Sequence, residues 1–438
     1  MKKTTISFVC QECGYDTAQW LGKCPECGAW NSLKEFKSQI ANRKSQNYSS
    51  NLKTATPKSL SEITSNEKSR MSTGFAEMDS VLGGGIVLGS VILVAGDPGI
   101  GKSTLLLQLA LNLSKVNDSS VLYVSAEESE QQVKMRADRL SSRATNLLLL
   151  STTDTDAICL QIETVKPSLV IVDSIQTIAS ENIDALSGAV SQVRYATSQL
   201  VKVAKSNNIP VIIVGHVTKE GMVAGPMVLS HMVDTVLFLE GEKTTQTRIL
   251  RSLKNRFGPV DEVGIFLMSE KGMEEINNAE QIFLTNKTTG APGSVTTVTL
   301  EGTRTFLIEI QALVISSKLP FPRRVVSGVD SRRLELLLAV LQKHCRLPLD
   351  TSDVFVNVAG GIKVTDPGVD AAICLAIYSS LKNIGFAKTV GIAEVGLLGE
   401  LRKVSMLEKR VKEAKKLGFT NIVSVEKYKS IREALDRI

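Results

Sequence analysis

Eight consecutive residues, Gly96-Asp97-Pro98-Gly99-Ile100-Gly101-Lys102-Ser103, carry the spacing G-x-x-x-x-G-K-[ST] of a phosphate-binding loop. Glycines at these positions let backbone N–H groups close around phosphate oxygens, and the helix that follows adds the positive end of its dipole. Lys102 is placed to reach the β- and γ-phosphates, and the Ser103 hydroxyl, followed by Thr104, to bind Mg²⁺. The ligand this implies is ATP with Mg²⁺. A chance glycine-rich turn is the competing reading, and it lacks the flanking elements found here. Ser90 to Ala95 (S-V-I-L-V-A) reads as a buried strand entering the loop, and Thr104 to Val116 as a helix leaving it.

Hydrolysis needs acids near that loop, and α/β sheets place such groups at the carboxyl ends of their strands. Apolar runs at Val121 to Ala126, Leu147 to Ser151, Ser168 to Val172 and Pro210 to Val214 alternate with helical stretches. That alternation predicts a doubly wound, mainly parallel sheet. Asp173 follows one run and is the expected second Mg²⁺ ligand. Glu127 and Glu128 follow another. One of the pair polarises the attacking water, and Glu127 is favoured because it comes first at the strand end. His216 ends a third run, as a γ-phosphate sensor or a structural histidine. Thr235 to Glu240, Thr247 to Leu253 and Val263 to Ser269 read as an antiparallel meander at the edge. Val217 to Met232, rich in Gly, Met, Lys and Pro, reads as a functional loop. Lys254-Asn255-Arg256-Phe257-Gly258 sets two cations around an asparagine, as a functional motif or a solvated basic turn.

Metal chemistry is concentrated at the start. Cys10-x₂-Cys13 and Cys24-x₂-Cys27 are two knuckles, each followed by glycine. Four thiolates at this spacing suit tetrahedral Zn²⁺, and so small a module needs its metal to fold. A rubredoxin-like iron centre and a redox dithiol pair are the rivals. Trp20 and Trp30 are expected to pack the module's core.

The 438 residues suffice for two or three domains, with 43% hydrophobic and 22% charged residues and a net charge of +6. This charge permits an anionic partner without requiring one. No secretory leader is expected, and no apolar run approaches the length of a membrane span. Residues 1–33 are expected to form a four-cysteine zinc finger and 34–66 a solvated linker, with a short element near Leu60 to Ile63. Residues 67–275 are read as the ATPase and 276–438 as a further α+β domain. There, Gly293 to Ile315 reads as a hairpin turning at Glu301-Gly302 and Val354 to Val364 as a second hairpin. Helices are expected at Arg332 to Arg346, Asp370 to Leu381 and Met406 to Leu417.

The preamble Ser72 to Ser90, the phosphate loop, Glu127 and Asp173 resemble the RecA-like recombination ATPases. With the cysteine module and K-N-R-F-G added, the chain resembles, over essentially its whole length, the bacterial RadA (Sms) family of DNA repair proteins. The resemblance makes Lys254 and Arg256 catalytic candidates beside Lys102 and Glu127, serving the nucleotide of a neighbouring subunit as arginine fingers do. It also implies a hexameric ring in the cytoplasm, at the nucleoid. Single-stranded and branched DNA, branch migration and RecA-type recombinase filaments are the implied substrate, activity and partners, with no membrane.

The C-terminal region resembles the proteolytic domain of Lon proteases. The segment aligning with their nucleophile loop, Thr365-Asp366-Pro367-Gly368-Val369-Asp370, has no serine at that position, and Glu408 falls nearest their catalytic lysine. A carboxylate cannot act as the neutral amine base of such a dyad. The expectation is therefore a RecA-like P-loop core between a zinc ribbon and a Lon-like α+β domain without peptidase chemistry. That last domain is read as an assembly platform, with Arg323, Arg324, Arg332, Arg333, Lys343 and Arg346 as a DNA surface. The alternative function is a nucleotide-switched scaffold or autokinase on the same core.

Overall fold

A computed structural model describes residues 6–10, 15–17, 19–26, 28–37, 59, 70–116, 120–140, 146–216, 226–241, 246–276, 290–360 and 363–438. The element expected near Leu60 to Ile63 lies outside the described residues, as does most of the segment expected to be a linker.

At the N-terminus β1 (Ile6–Cys10), β2 (Asp16–Thr17) and β3 (Leu33–Lys37) form an antiparallel sheet in the order β2-β1-β3. Its small core is Cys10, Cys24 and Leu33, with Phe8 and Tyr15 against them. The tryptophans do not fill it. Trp20 is 55% and Trp30 72% exposed; Trp20 lends its indole N–H to the Leu33 carbonyl at 3.2 Å, and the Lys23 ammonium lies over the Trp30 ring. Two indoles are too large for a core built around two cysteines, so they lie on its surface.

Two compact units are formed, one of residues 1–240, 250–260 and 268–274, the other of 241–249, 261–267 and 275–438. After β1–β3 the first continues with β4 (Arg70–Met71), α1 (Ala76–Leu82) and β5 (Ile86–Val87). Strand β6 (Val91–Gly96) leads through the glycine-rich loop into α2 (Lys102–Val116). Then come β7 (Val121–Ser125), α3 (Glu130–Arg139), β8 (Leu147–Ser151), α4 (Thr155–Val165), β9 (Leu169–Asp173), α5 (Val190–Asn207), β10 (Val211–His216), α6 (Pro226–Ser230) and β11 (Thr235–Glu240).

The order β11-β6-β10-β9-β7-β8 is parallel at every pairing. Strands β6, β7 and β9 are buried at every residue, as their unbroken Val/Ile/Leu runs require when both faces are covered. Alternate residues Val91, Leu93, Leu122, Val124, Val170, Val172, Val211 and Ile213 meet α4 and α5 through Ile158, Ile162, Val193 and Leu200. Strands β12 (Thr247–Asn255), β13 (Val263–Ser269) and β14 (Gly272–Glu275) continue the sheet beyond β11 in chain order. The connections are too short for crossovers, so these edge strands are antiparallel.

In the second unit β15 (Ser294–Glu301) and β16 (Arg304–Ser316) form the expected hairpin. Strand β17 (Arg324–Ser327) and α7 (Ser331–Cys345) follow, then β18 (Ser352–Val358), α8 (Asp370–Lys382), β19 (Thr389–Gly391), β20 (Glu394–Val395), β21 (Leu401–Arg402), α9 (Leu407–Lys416), β22 (Asn421–Val423) and α10 (Ile431–Arg437). The sheet order is β17-β18-β16-β15-β19-β22. The second hairpin expected at Val354 to Val364 does not form among the described residues. Strand β18 pairs with β16 antiparallel and with β17 parallel, so both its edges are taken. The Leu and Val face of α7 and the apolar α8 cover one side of this sheet.

Candidate functional site

The register of the parallel sheet gathers the candidate groups. Gly96 on β6 stands beside His216 on β10, and Ser125 on β7 beside Asp173 on β9, all at the carboxyl edge. Gly96 must be glycine: at φ 153° a Cβ would sit 2.3 Å from the Leu239 carbonyl oxygen. At Gly101, φ 111°, a Cβ would sit 2.4 Å from the Met273 methyl. Asp97, Pro98 and Gly99 are exposed, whereas Ile100 is buried beneath them and pins the loop.

Lys102 is 3% exposed, and its Nζ donates to the carbonyls of Gly96 and Asp97 at 2.8 and 2.9 Å. Burial lowers its pKa from 10.5 to about 8, against the opposing pull of Asp173, Asp97 and Glu127. Ser103 and Thr104, half-buried, open α2 beside it. Asp173, 8% exposed, accepts a 2.7 Å hydrogen bond at Oδ2 from the Tyr123 hydroxyl. The peptide between Asp173 and Ser174 is cis. A hydroxyl and a carboxylate beside a buried ammonium are a hard oxygen set of the kind Mg²⁺ takes.

The two adjacent glutamates part company. Glu127 accepts a hydrogen bond from the Ser174 hydroxyl and lies 3.6 Å from the Nε2 of His216. Glu128 turns to α3, where it pairs with Arg136, and its backbone is tied to the Ser125 hydroxyl. A capping box between Ser129 and Gln132 starts α3 there and separates the two side chains. His216 has its pKa lowered, first by burial and then by the charge of Lys102, so its ring is neutral near pH 7. Its backbone carbonyl accepts from Gln176 at 3.2 Å. Of Val217 to Met232, residues 217–225 lie outside the described residues and Pro226–Ser230 forms α6.

Lys254 and Arg256 do not join their own chain's phosphate loop. The Lys254 ammonium donates to the carbonyls of Ser230 and Val233 at 2.6 and 2.8 Å. Arg256 Nη1 donates to Asp234 Oδ1 at 3.1 Å, and Lys205 reaches the same carboxylate. Asp234 in turn brackets Val91, donating its N–H to the Val91 carbonyl and accepting the Val91 N–H on Oδ2. Val91 opens β6 and Gly96 closes it. The cations therefore stand at the amino edge, roughly 17 Å along the strand from the loop. Asn255 shapes the turn by accepting from the Phe257 N–H, and Arg70 holds the Phe257 carbonyl.

In the N-terminal module Cys10 and Cys24 are buried, and each amide donates to the carbonyl five residues on, Tyr15 and Ala29, at 2.8 and 2.9 Å. The two closures match, and Cys13 and Cys27, which fall between their ends in the sequence, lie outside the described residues. That pseudo-symmetry fits a metal held by one pair of thiolates from each loop.

In the second unit Asp370 is 1% exposed and takes two hydrogen bonds from the Arg333 guanidinium and one from the Val395 N–H. Glu408 is exposed on α9. The expected basic surface is smaller than its sequence suggests. Arg333 is bound to Asp370, and Arg324 donates to the carbonyls of Ser352 and Leu349, so these two cations brace the unit from within. Arg323, Arg332, Lys343 and Arg346 remain exposed.

The sequence reading missed Tyr123, Ser174 and Asp234. Tyr123 carried a visible signal, a lone phenol in an otherwise aliphatic strand; Asp234 carried none, since its partners come from residues 91, 205 and 256.

Fold and site together define a P-loop nucleotide-binding protein of RecA-like α/β architecture. Residues 57–222 match the family described as AAA domain, and residues 8–35 the one described as rubredoxin metal binding domain. DNA repair protein RadA of Bacillus subtilis is 48% identical over 97% of this chain and 93% of its own length. The proteins of that name from Halalkalibacterium halodurans and Listeria monocytogenes are each 45% identical, over 98% and 96% of this chain and 94% and 92% of theirs. The chain belongs to the family of DNA repair protein RadA.

Proposed function

We propose that this chain is a DNA-dependent ATPase of recombinational repair, a helicase-type motor that binds single-stranded DNA and drives branch migration. The observation that carries the reading is the separation of its two ATPase parts. Lys102, Ser103, Asp173 and Glu127 stand at one edge of the sheet, Lys254 and Arg256 at the other. A neighbouring copy placed head to tail would bring its cations to this chain's nucleotide, and repetition of that contact closes a ring, which we take to be a hexamer.

In this reading the phosphate loop, residues 96–104, holds ATP, and Ser103 and Asp173 hold Mg²⁺, which neutralises charge on the phosphates. Glu127, kept in place by Ser174, takes a proton from the attacking water, and neutral His216 reports the state of the γ-phosphate. Cys10, Cys13, Cys24 and Cys27 hold Zn²⁺ as a folding device. The second unit keeps a Lon-like fold without peptidase chemistry: residues 365–370 carry no serine, Asp370 among them is bound to Arg333, and Glu408, nearest the lysine position, is an exposed carboxylate. Branched DNA and RecA-type filaments at the cytoplasmic nucleoid are the partners proposed from the family.

The test is ATP turnover with and without single-stranded DNA at rising salt. Stimulation should weaken steeply with salt, because phosphate contacts release counterions. A rate indifferent to DNA, with binding indifferent to salt, would end the reading.

A further inference from the structure

Strand β7 contributes to the site from its interior as well as from its end. Tyr123 is the third residue of V-L-Y-V-S, is fully buried, and donates its hydroxyl to Asp173 Oδ2 at 2.7 Å across the β7–β9 pair. The neighbouring register brings the Ala126 N–H to the Asp173 backbone carbonyl at 2.8 Å. The acid is thus held through its main chain by one residue of this segment and through one carboxylate oxygen by another. A buried carboxylate anchored by one oxygen presents the other in a fixed direction, whereas an unanchored one is free to rotate.

We infer that Tyr123 is a positioning residue for magnesium: it fixes Asp173 so that Oδ1 is directed at the metal bound with the nucleotide. The inference rests on the reading of Asp173 as the magnesium-side carboxylate and adds the residue that sets its orientation. Tyr123 touches neither nucleotide nor metal and acts only through Asp173.

The test compares Tyr123→Phe and Asp173→Asn in the full-length protein, using Mn²⁺ as the probe, followed by electron paramagnetic resonance in the presence of ADP. Metal-free ADP affinity is measured in parallel. Tyr123→Phe should weaken Mn²⁺ binding about tenfold, the loss expected for one hydrogen bond to a charged group. Metal-free ADP affinity should hold, and saturating Mg²⁺ should restore turnover. Unchanged Mn²⁺ affinity in Tyr123→Phe with a loss in Asp173→Asn would overturn the role of Tyr123 and leave the reading of Asp173 standing. Unchanged Mn²⁺ affinity in Asp173→Asn would overturn both. If the phenylalanine variant is insoluble, the wild type labelled with 3-fluorotyrosine serves instead. One of its six tyrosine resonances should move when Mg²⁺ joins ADP, and none moving would overturn the inference.

Discussion

Arg256 donates to Asp234 at the amino end of β6, while Lys102 lies beyond the carboxyl end of the same strand. The phosphate loop thus leaves one tip of this strand, and the Asp234 carboxylate that holds Arg256 is bound at the other. Asp234 is almost fully buried and also receives Lys205 and the Val91 amide, so the Arg256 position is built into the base of the sheet. An arginine that is always charged, and held in place before it meets a phosphate, loses less entropy in reaching it.

The depressed pKa of Lys102 makes nucleotide binding take up protons. Burial favours the neutral amine in the free protein, with a pKa of about 8, and phosphates restore the charged form. Calorimetry at pH 8 in buffers of different ionisation enthalpy should show uptake of about half a proton per ADP. In the nucleotide-free protein the sign is the reverse of a salt bridge. The unfolded chain holds the Lys102 proton up to about pH 10.5, so this residue's contribution to stability grows as pH rises from about 8 to that value. Binding without proton exchange at pH 8 would contradict the assignment.

Glu127→Gln and Glu128→Gln should behave differently despite being neighbours. Loss of the Glu127 carboxylate should cut turnover by about 10²–10⁴ with nucleotide affinity intact, the range for a missing general base. Glu128→Gln removes a charge partner of Arg136 on the surface side and should cost less than tenfold. Single-turnover hydrolysis beside nucleotide titration distinguishes them, and equal losses would contradict the geometry.

Asp370→Ser places a hydroxyl in the segment, residues 365–370, that aligns with the nucleophile loop of Lon proteases. It should yield no peptidase activity on unfolded casein, because no amine base is supplied. It should also strip Arg333 of its buried partner and destabilise the second unit by about 3–5 kcal/mol in urea unfolding. Casein cleavage by a clean preparation would contradict this account.

Cys24→Ser should release the metal, seen as loss of bound zinc by atomic absorption, and unfold the N-terminal module alone. Phosphate-loop nucleotide affinity should stay within twofold. Retained zinc would remove the four-thiolate reading.

Much of this was legible because the informative signals are local. The phosphate loop, the strand-terminal acids Glu127 and Asp173 and the apolar runs of the parallel sheet are fixed by spacing and by burial on both faces. What was not legible depends on distant partners. Arg324 and Arg333 look like surface cations until Ser352, Leu349 and Asp370 come to meet them. The tryptophans were expected in the core of the cysteine module, but Leu33, Phe8 and Tyr15 pack around Cys10 and Cys24 and leave both indoles exposed. The return strand expected after Gly360-Gly361 lost to β16 and β17, which already occupy both edges of β18.

The central claim is that one copy's Arg256 serves the next copy's Lys102. Lys102→Ala and Arg256→Ala should each be nearly inactive alone, the second with nucleotide affinity preserved. Mixed in equal amounts, they should form interfaces that pair an intact Lys102 with an intact Arg256. About a quarter of the wild-type ATP turnover should return for random head-to-tail assembly. A rate equal to the sum of the two residual activities at every mixing ratio would contradict the account.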